Sequence, residues 1–169
     1  MNFRGESQVE ELSFLVNESK NSPQRSQASK LSADAAGPLL IELGFQPNEV
    51  ASIQHSIVAH SFSADVAPQT VEAKILQDAD RMESVGALGI ARTFYTAGKM
   101  ASLLFEGDDP FAANRPLNDK RYAVDHFKAK LLGLCETMQT NAGRRVAKER
   151  TKHMQAFLDQ LAIEIGARR

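Results

Sequence analysis

Apolar positions along this chain recur at the spacing of helices and almost nowhere with the alternation of strands. The clearest case is 72–99, EAKILQDADRMESVGALGIARTFYTAGK. At about 100° per residue, Ile75, Ala79 and Met82 share one face, while Glu72, Leu76, Asp80 and Glu83 share its flank. Three carboxylates therefore border a stripe that the pattern turns toward a core. The helix is expected to run to about Leu104, with weak points at Gly86, Gly89 and Gly98. Its small residues Gly86, Ala87, Gly89 and Ala91 would let a second helix approach closely, which suits the centre of a bundle. Spacing leaves two readings open for Asp78 and Asp80: they cap or pair with a neighbour, or they act as metal-binding or general-base carboxylates.

Upstream, an apolar run at Leu12 to Val16 precedes KNSPQRSQAS, whose Pro, Asn and Ser content predicts a loop. A helix starting near Ser26 or Ser29 carries Leu31, Ala35, Pro38 or Leu39, and Leu43 at helical spacing. Gly37-Pro38 is expected to kink or interrupt it, and Gly44 fits the position just past its end. Asn48 is the expected N-cap of the next helix, with Val50, Ile53, Ile57 and Val58 as its stripe. His55 and His60 lie about 140° apart on that helix, so they cannot share one metal ion. His60 sits where the helix gives way to a loop, either aimed at a cleft or hydrogen-bonded to a carbonyl.

Downstream, the run 106–120 reads as a loop long enough to carry function, and its Asp108 and Asp109 could hold a cation. Tyr122 to Met138 is expected to form one amphipathic helix through Ala123, Phe127, Leu131, Leu134 and Cys135. Asn141 is the expected cap of the last helix, whose stripe is Ala147, Met154, Phe157, Leu158, Leu161 and Ile165. With no strand expected, the fold class is all-α.

Composition narrows the function. The 169 residues suit a single domain, and no run of about 18 apolar residues offers a membrane span. The first residues lack the apolar core of a secretory signal, so a cytoplasmic location and no membrane partner are expected. Cys135, the lone cysteine, reads as a small buried hydrophobe. A net charge of −1 argues against nucleic acid as main partner. Arg144, Arg145, Lys148, Arg150 and Lys152 are expected to face water or neighbouring carboxylates. The sequence holds no glycine-rich phosphate loop, zinc spacing, GxSxG or dinucleotide fingerprint. Acids on a central helix and two histidines just before it remain, and such donors suit a divalent ion that polarises a phosphate.

The stretch ILQDADRMESVGALGIARTF resembles the C-terminal signature of the HD superfamily of metal-dependent phosphohydrolases, in its bacterial branch. KNSPQRSQAS, AHSFSADVAPQTVEAKI, LFEGDDPFAANRPLNDKRYAVDHF and KLLGLCETMQTNAGRRVA resemble the neighbouring stretches of that branch. The likeness runs over 12–169, leaving 1–11 divergent and expected to be poorly ordered. It implies an all-α, HD-domain-like helical bundle that hydrolyses phosphate esters or nucleotides. One or two divalent ions (Mn, Mg, Fe or Ni) would be held by an initial His, a His-Asp pair and a later Asp. The later Asp matches Asp80, with Asp78 as second candidate. Where the family reads close to "FHDIV" this chain has LSFLV, so Ser13 and Phe14 occupy the pair's positions, and three of the four expected ligands are missing.

These departures set the expectations. The chain is a partial HD-type domain without its N-terminal helices, from a truncated or frameshifted reading frame. It binds metal weakly or not at all and is catalytically impaired, so whether it is an enzyme stays open. If active, it takes a phosphorylated small molecule or nucleotide, with Lys20, Arg25, His60 and Glu72 as cleft or phosphate contacts. Missing helices would uncover the faces of Ile75, Met82 and the Leu31 helix. The alternative function is accordingly a helical interaction module that self-associates or binds a partner.

Overall fold

A computed structural model describes residues 27–167 of the protein. The described residues form six α-helices, α1 (Ala28–Glu42), α2 (Pro47–Ala59), α3 (Val71–Met82), α4 (Gly86–Lys99), α5 (Ala123–Ala129) and α6 (Asn141–Glu164), with short 3-10 turns at Phe62–Ala64 and Leu131–Thr137. Their only extended pairing is an isolated parallel bridge between Leu103 and Tyr122. The class is all-α, as expected. No described helix is long and apolar enough to cross a membrane. The chain divides into two compact units, one up to Gln77 and one from Asp78, with the boundary inside α3.

In the first unit α1 packs on α2. Pro38 does not interrupt α1, which continues through it to Glu42. Buried Gly37 leaves room for the Gln54 amide of α2, since an added Cβ would lie 2.7 Å from its nitrogen. That amide donates to the Ala33 carbonyl at 2.9 Å. Packing against α2 thus holds the helix where proline alone would break it. The expected stripe is also turned around: Leu31, Leu39 and Leu43 are exposed, while Ser29, Ala33 and Gly37 are buried. Gly44, with φ +87°, ends the helix as expected. The cap of α2 is Gln46, not Asn48. Glu49 reaches back to accept the Gln46 N–H at 2.8 Å, and Pro47 opens the first turn.

The long central helix is two helices. A turn at 83–85 separates α3 from α4, and α4 ends at Lys99, not Leu104. Ser84 N–H reaches the Arg81 carbonyl at 3.0 Å, and Gly86 adopts φ +76°, a conformation that L side chains resist. The face of α3 differs too. Ile75 is 56% exposed and Ala79 is exposed, whereas Ala73, Gln77 and Asp78 are buried and Met82 lies at the edge of the second core. Polar partners decide this orientation. Gln77 donates to the Ala59 carbonyl at 2.6 Å, and Asp78 accepts three hydrogen bonds described below.

The second unit is built on rings from three helices. Phe94 of α4, Phe127 of α5 and Phe157 of α6 meet with centroids 5.8 to 6.1 Å apart. Around them lie Val85, Met138, Met154 and Leu158, all buried, together with Cys135, in the small hydrophobic role expected of it. The expected 122–138 helix breaks at Lys130 (φ −139°, ψ −53°), and its second half is the 3-10 turn. Thr140, not Asn141, caps α6 by accepting the Gly143 N–H at 2.9 Å. The α6 stripe is as expected: Ala147, Met154 and Leu158 are buried, with Phe157, Leu161 and Ile165 packed against them.

Candidate functional site

Asp80 lies in the last turn of α3 with its side chain exposed. No described residue hydrogen-bonds to its carboxylate. Two residues earlier, Asp78 is 5% exposed and fully committed. One of its oxygens accepts the Gln139 N–H at 2.7 Å, and the other accepts the Thr140 N–H at 2.9 Å and the Thr140 hydroxyl at 2.7 Å. Asp78 therefore ties the end of α3 to the start of α6, close to Gly143, where a Cβ would come within 2.4 Å of the carboxylate. Of the two readings left open for this pair, Asp78 takes that of a carboxylate bound to a neighbour.

Arg81 completes this end of α3. Its guanidinium donates to the Thr137 carbonyl. Burial lowers its pKa, and the nearby charges of Asp78 and Asp80 oppose that shift. A cation approaching Asp80 would meet this standing positive charge.

The other candidates fall as follows. Lys20, Arg25, Ser13 and Phe14 lie outside the described residues. Glu72 is exposed at the start of α3. His60 has Nδ1 2.6 Å from the Ile57 carbonyl. A carbonyl only accepts, so Nδ1 carries a proton and donates it there. His55 Nε2 accepts the Gln69 N–H at 3.0 Å. Asp109 is spent on its own loop, where it accepts the N–H groups of Ala113 and Asn114, both at 2.8 Å. In the basic cluster of α6, Lys148 and Lys152 pair with Glu136 and Glu149 and Arg145 is exposed, as expected, whereas Arg144 and Arg150 depart from the expectation and donate to the Met138 and Met82 carbonyls.

Among the described residues no three His, Cys, Asp or Glu side chains come together in a group able to hold a metal ion. One exposed carboxylate beside an arginine does not make the donor set of a divalent ion, which wants roughly six ligands. The described residues thus do not fit the metal that the family resemblance implies.

Two arrangements had no signal in the sequence. One is the bond between Asp78 and the turn 139–140, which joins positions 61 and 62 residues apart. The other is a clasp that closes the loop before α5. Arg115 grips Asp125 with two hydrogen bonds of 2.6 and 2.8 Å, Asn118 N–H adds a third at 2.7 Å, and the guanidinium lies 4.6 Å from the Tyr122 ring.

No family model matches the chain. Over 98 residues, 58% of its length, it is 38% identical to the uncharacterized protein YpgQ of Bacillus subtilis (strain 168), of which it covers 42%. The crystal structure of B. subtilis YpgQ is similar with a TM-score of 0.64 and 32% identity, over 79% of this chain and 63% of that one. The chain thus spans less than two thirds of these relatives. YpgQ in complex with ADP is similar with a TM-score of 0.63 and 26% identity, over 94% of this chain and 83% of that one. An HD-superfamily hydrolase from Bacillus thuringiensis matches with a TM-score of 0.65 and 28% identity, over 95% and 74%.

Proposed function

The chain is related to the HD superfamily, and from that kinship we propose that it is a phosphohydrolase-like protein with impaired hydrolysis, whose ligand is a phosphorylated small molecule or nucleotide. The ADP complex of YpgQ supports the nucleotide. The observation that carries the impairment is Ser13-Phe14, standing where the family's His-Asp pair is expected. A phenyl ring offers no donor to a cation, and one carboxylate with water competes poorly with the hydrated ion in bulk. Among the described residues at the end of α3, Mn, Mg, Fe or Ni would find Asp80 alone, next to the charge of Arg81, since Asp78 is already bonded. In this reading Lys20, Arg25 and His60 contact phosphate oxygens and Glu72 belongs to the same cleft.

The test combines a phosphatase assay with calorimetry. Wild type and Asp80→Ala are assayed on p-nitrophenyl phosphate and nucleotides with and without Mn, then titrated with Mn, Mg, Ni and ADP. Equal, background turnover, metal binding weaker than micromolar and metal-independent ADP binding are expected. Manganese-dependent turnover that disappears in Asp80→Ala would overturn the impairment.

A second reading, a helical interaction module, is favoured by one observation. Leu31 is 53% exposed on α1, and Val71, Ile75 and Leu76 are exposed on α3. Such faces are usually covered. Light scattering checks it, and a mass that stays monomeric at every concentration counts against self-association.

A further inference from the structure

We propose that the surface formed by Met100–Leu104 and Asn118–Arg121 is a docking site for an acidic segment of a partner protein that carries large apolar side chains. This inference concerns the second unit alone and does not depend on hydrolysis.

The surface is a cleft of about 470 Å³ lined by Met100, Ala101, Ser102, Leu103, Asn118, Lys120 and Arg121. Met100 is 61% exposed, and Leu103, Leu104 and Tyr95 are likewise exposed. These side chains are held outward by the backbone. Leu103 N–H donates to the Arg121 carbonyl at 2.9 Å, and the carbonyls of Leu103 and Leu104 accept from Ala123 and Val124 at 2.9 and 3.0 Å. A backbone fixed in this way needs no further ordering when the surface is covered, and the cost falls on the side chains alone.

Its rim is cationic. Lys99 lies 4.6 Å from the Tyr95 ring and Arg121 lies 5.4 Å from that of Tyr122, and Lys120 lines the cleft between them and Asn118. None of these three cations forms an ion pair among the described residues, whereas Asp119 and Glu106 nearby are occupied. Asp119 pairs with His126 and Lys130, and Glu106 accepts the N–H groups of Asp108 and Asp109. An apolar centre inside an unneutralised basic rim is the complement of an acidic peptide with apolar anchors. A second copy docking on the same patch would set like charges against each other. A bilayer would meet a hollow, and the bases of a nucleic acid would find no ring among the side chains that line the cleft.

The test is selection of a phage-displayed library of short random peptides on the full chain, followed by fluorescence polarisation of the recovered peptides. Recovered sequences are expected to join Asp or Glu to Leu, Phe or Trp and to bind more weakly as salt rises. Their affinity should fall at least ~10-fold in Lys120→Glu/Arg121→Glu and again in Met100→Asp. All three changes are on exposed side chains, and unchanged thermal melting confirms that the variants fold. Failure to enrich any peptide, or enrichment of peptides that bind both variants as tightly as wild type, would overturn the proposal. So would variant-sensitive binding to phosphatidylserine vesicles or to single-stranded oligonucleotides in place of peptides, or a dimer that the variants dissociate.

Discussion

Asp78 gives both carboxylate oxygens to the turn that begins α6, whereas Asp80 keeps its oxygens in water. Their substitutions should therefore separate. Asp78→Ala removes the acceptor of the Gln139 and Thr140 N–H groups and of the Thr140 hydroxyl and is expected to cost about 1–3 kcal/mol in urea unfolding, while Asp80→Ala stays within about 0.5 kcal/mol of wild type. Gly143→Ala, whose Cβ would press on the same carboxylate, should cost about 1–3 kcal/mol, and less once Asp78 is already alanine. Asp125 is one source of acid sensitivity. Burial alone would raise its pKa, but the Arg115 hydrogen bonds, the Asn118 N–H and the Arg115 charge outweigh burial and leave it below the ordinary carboxylate range. A depressed folded-state pKa contributes stability above the unfolded value, and that contribution is lost as pH falls through the folded one. The stability gap between wild type and Arg115→Met is thus expected to be full near neutrality and to shrink below about pH 4, as read by denaturation at a series of pH values.

Helix boundaries show which signals act locally. Gly44 closes α1 because a glycine tolerates φ +87°, and the Pro47 start of α2 needs nothing beyond its own first turn. By contrast, the break between α3 and α4 looked like a weakness in one helix, since Gly86 in an apolar period is compatible with a continued helix. In the fold it takes φ +76°, with the position of its absent Cβ 3.1 Å from Arg150 Cβ. Gly86→Ala is expected to cost about 1–2 kcal/mol in chemical denaturation, from backbone strain together with that contact. Pro38 shows the opposite. A residue that usually ends helices sits inside α1, because Gly37 and the Gln54 amide favour α1's packing on α2.

The two compact units differ in what they bury. The buried hydrophobic residues of the first are Ala33, Val50, Ala59 and Ala73, among the described residues, whereas the second buries Phe111, Phe127, Met138, Met154 and Leu158. Local stability follows buried apolar surface, so amide hydrogen exchange should be slowest in α5 and α6 and faster in α1 and α2. Equal protection in both units would contradict this account. The same contrast bears on function, because the exposed apolar residues of α1 and α3 sit on the less buried unit, where covering by a ligand or partner would add most to stability.

By itself the sequence determined the helical class, the approximate places of the helices, the inward stripe of α6 and the family likeness. Each rests on residues a few positions apart or on a local run of letters, which the 3.6-residue period makes readable. Only the tertiary structure decided which face of α3 is buried, where the central helix breaks, that Asp78 is bonded while Asp80 is not, and that Arg115 closes on Asp125. Ile75 and Ala79 looked like the core face of α3 because apolar period was the only cue available. The face was instead chosen by Gln77 and Asp78, whose partners at Ala59, Gln139 and Thr140 lie 18, 61 and 62 residues away. A buried polar group left without a partner costs more than an apolar side chain left in water, so such distant hydrogen bonds overrule the local pattern.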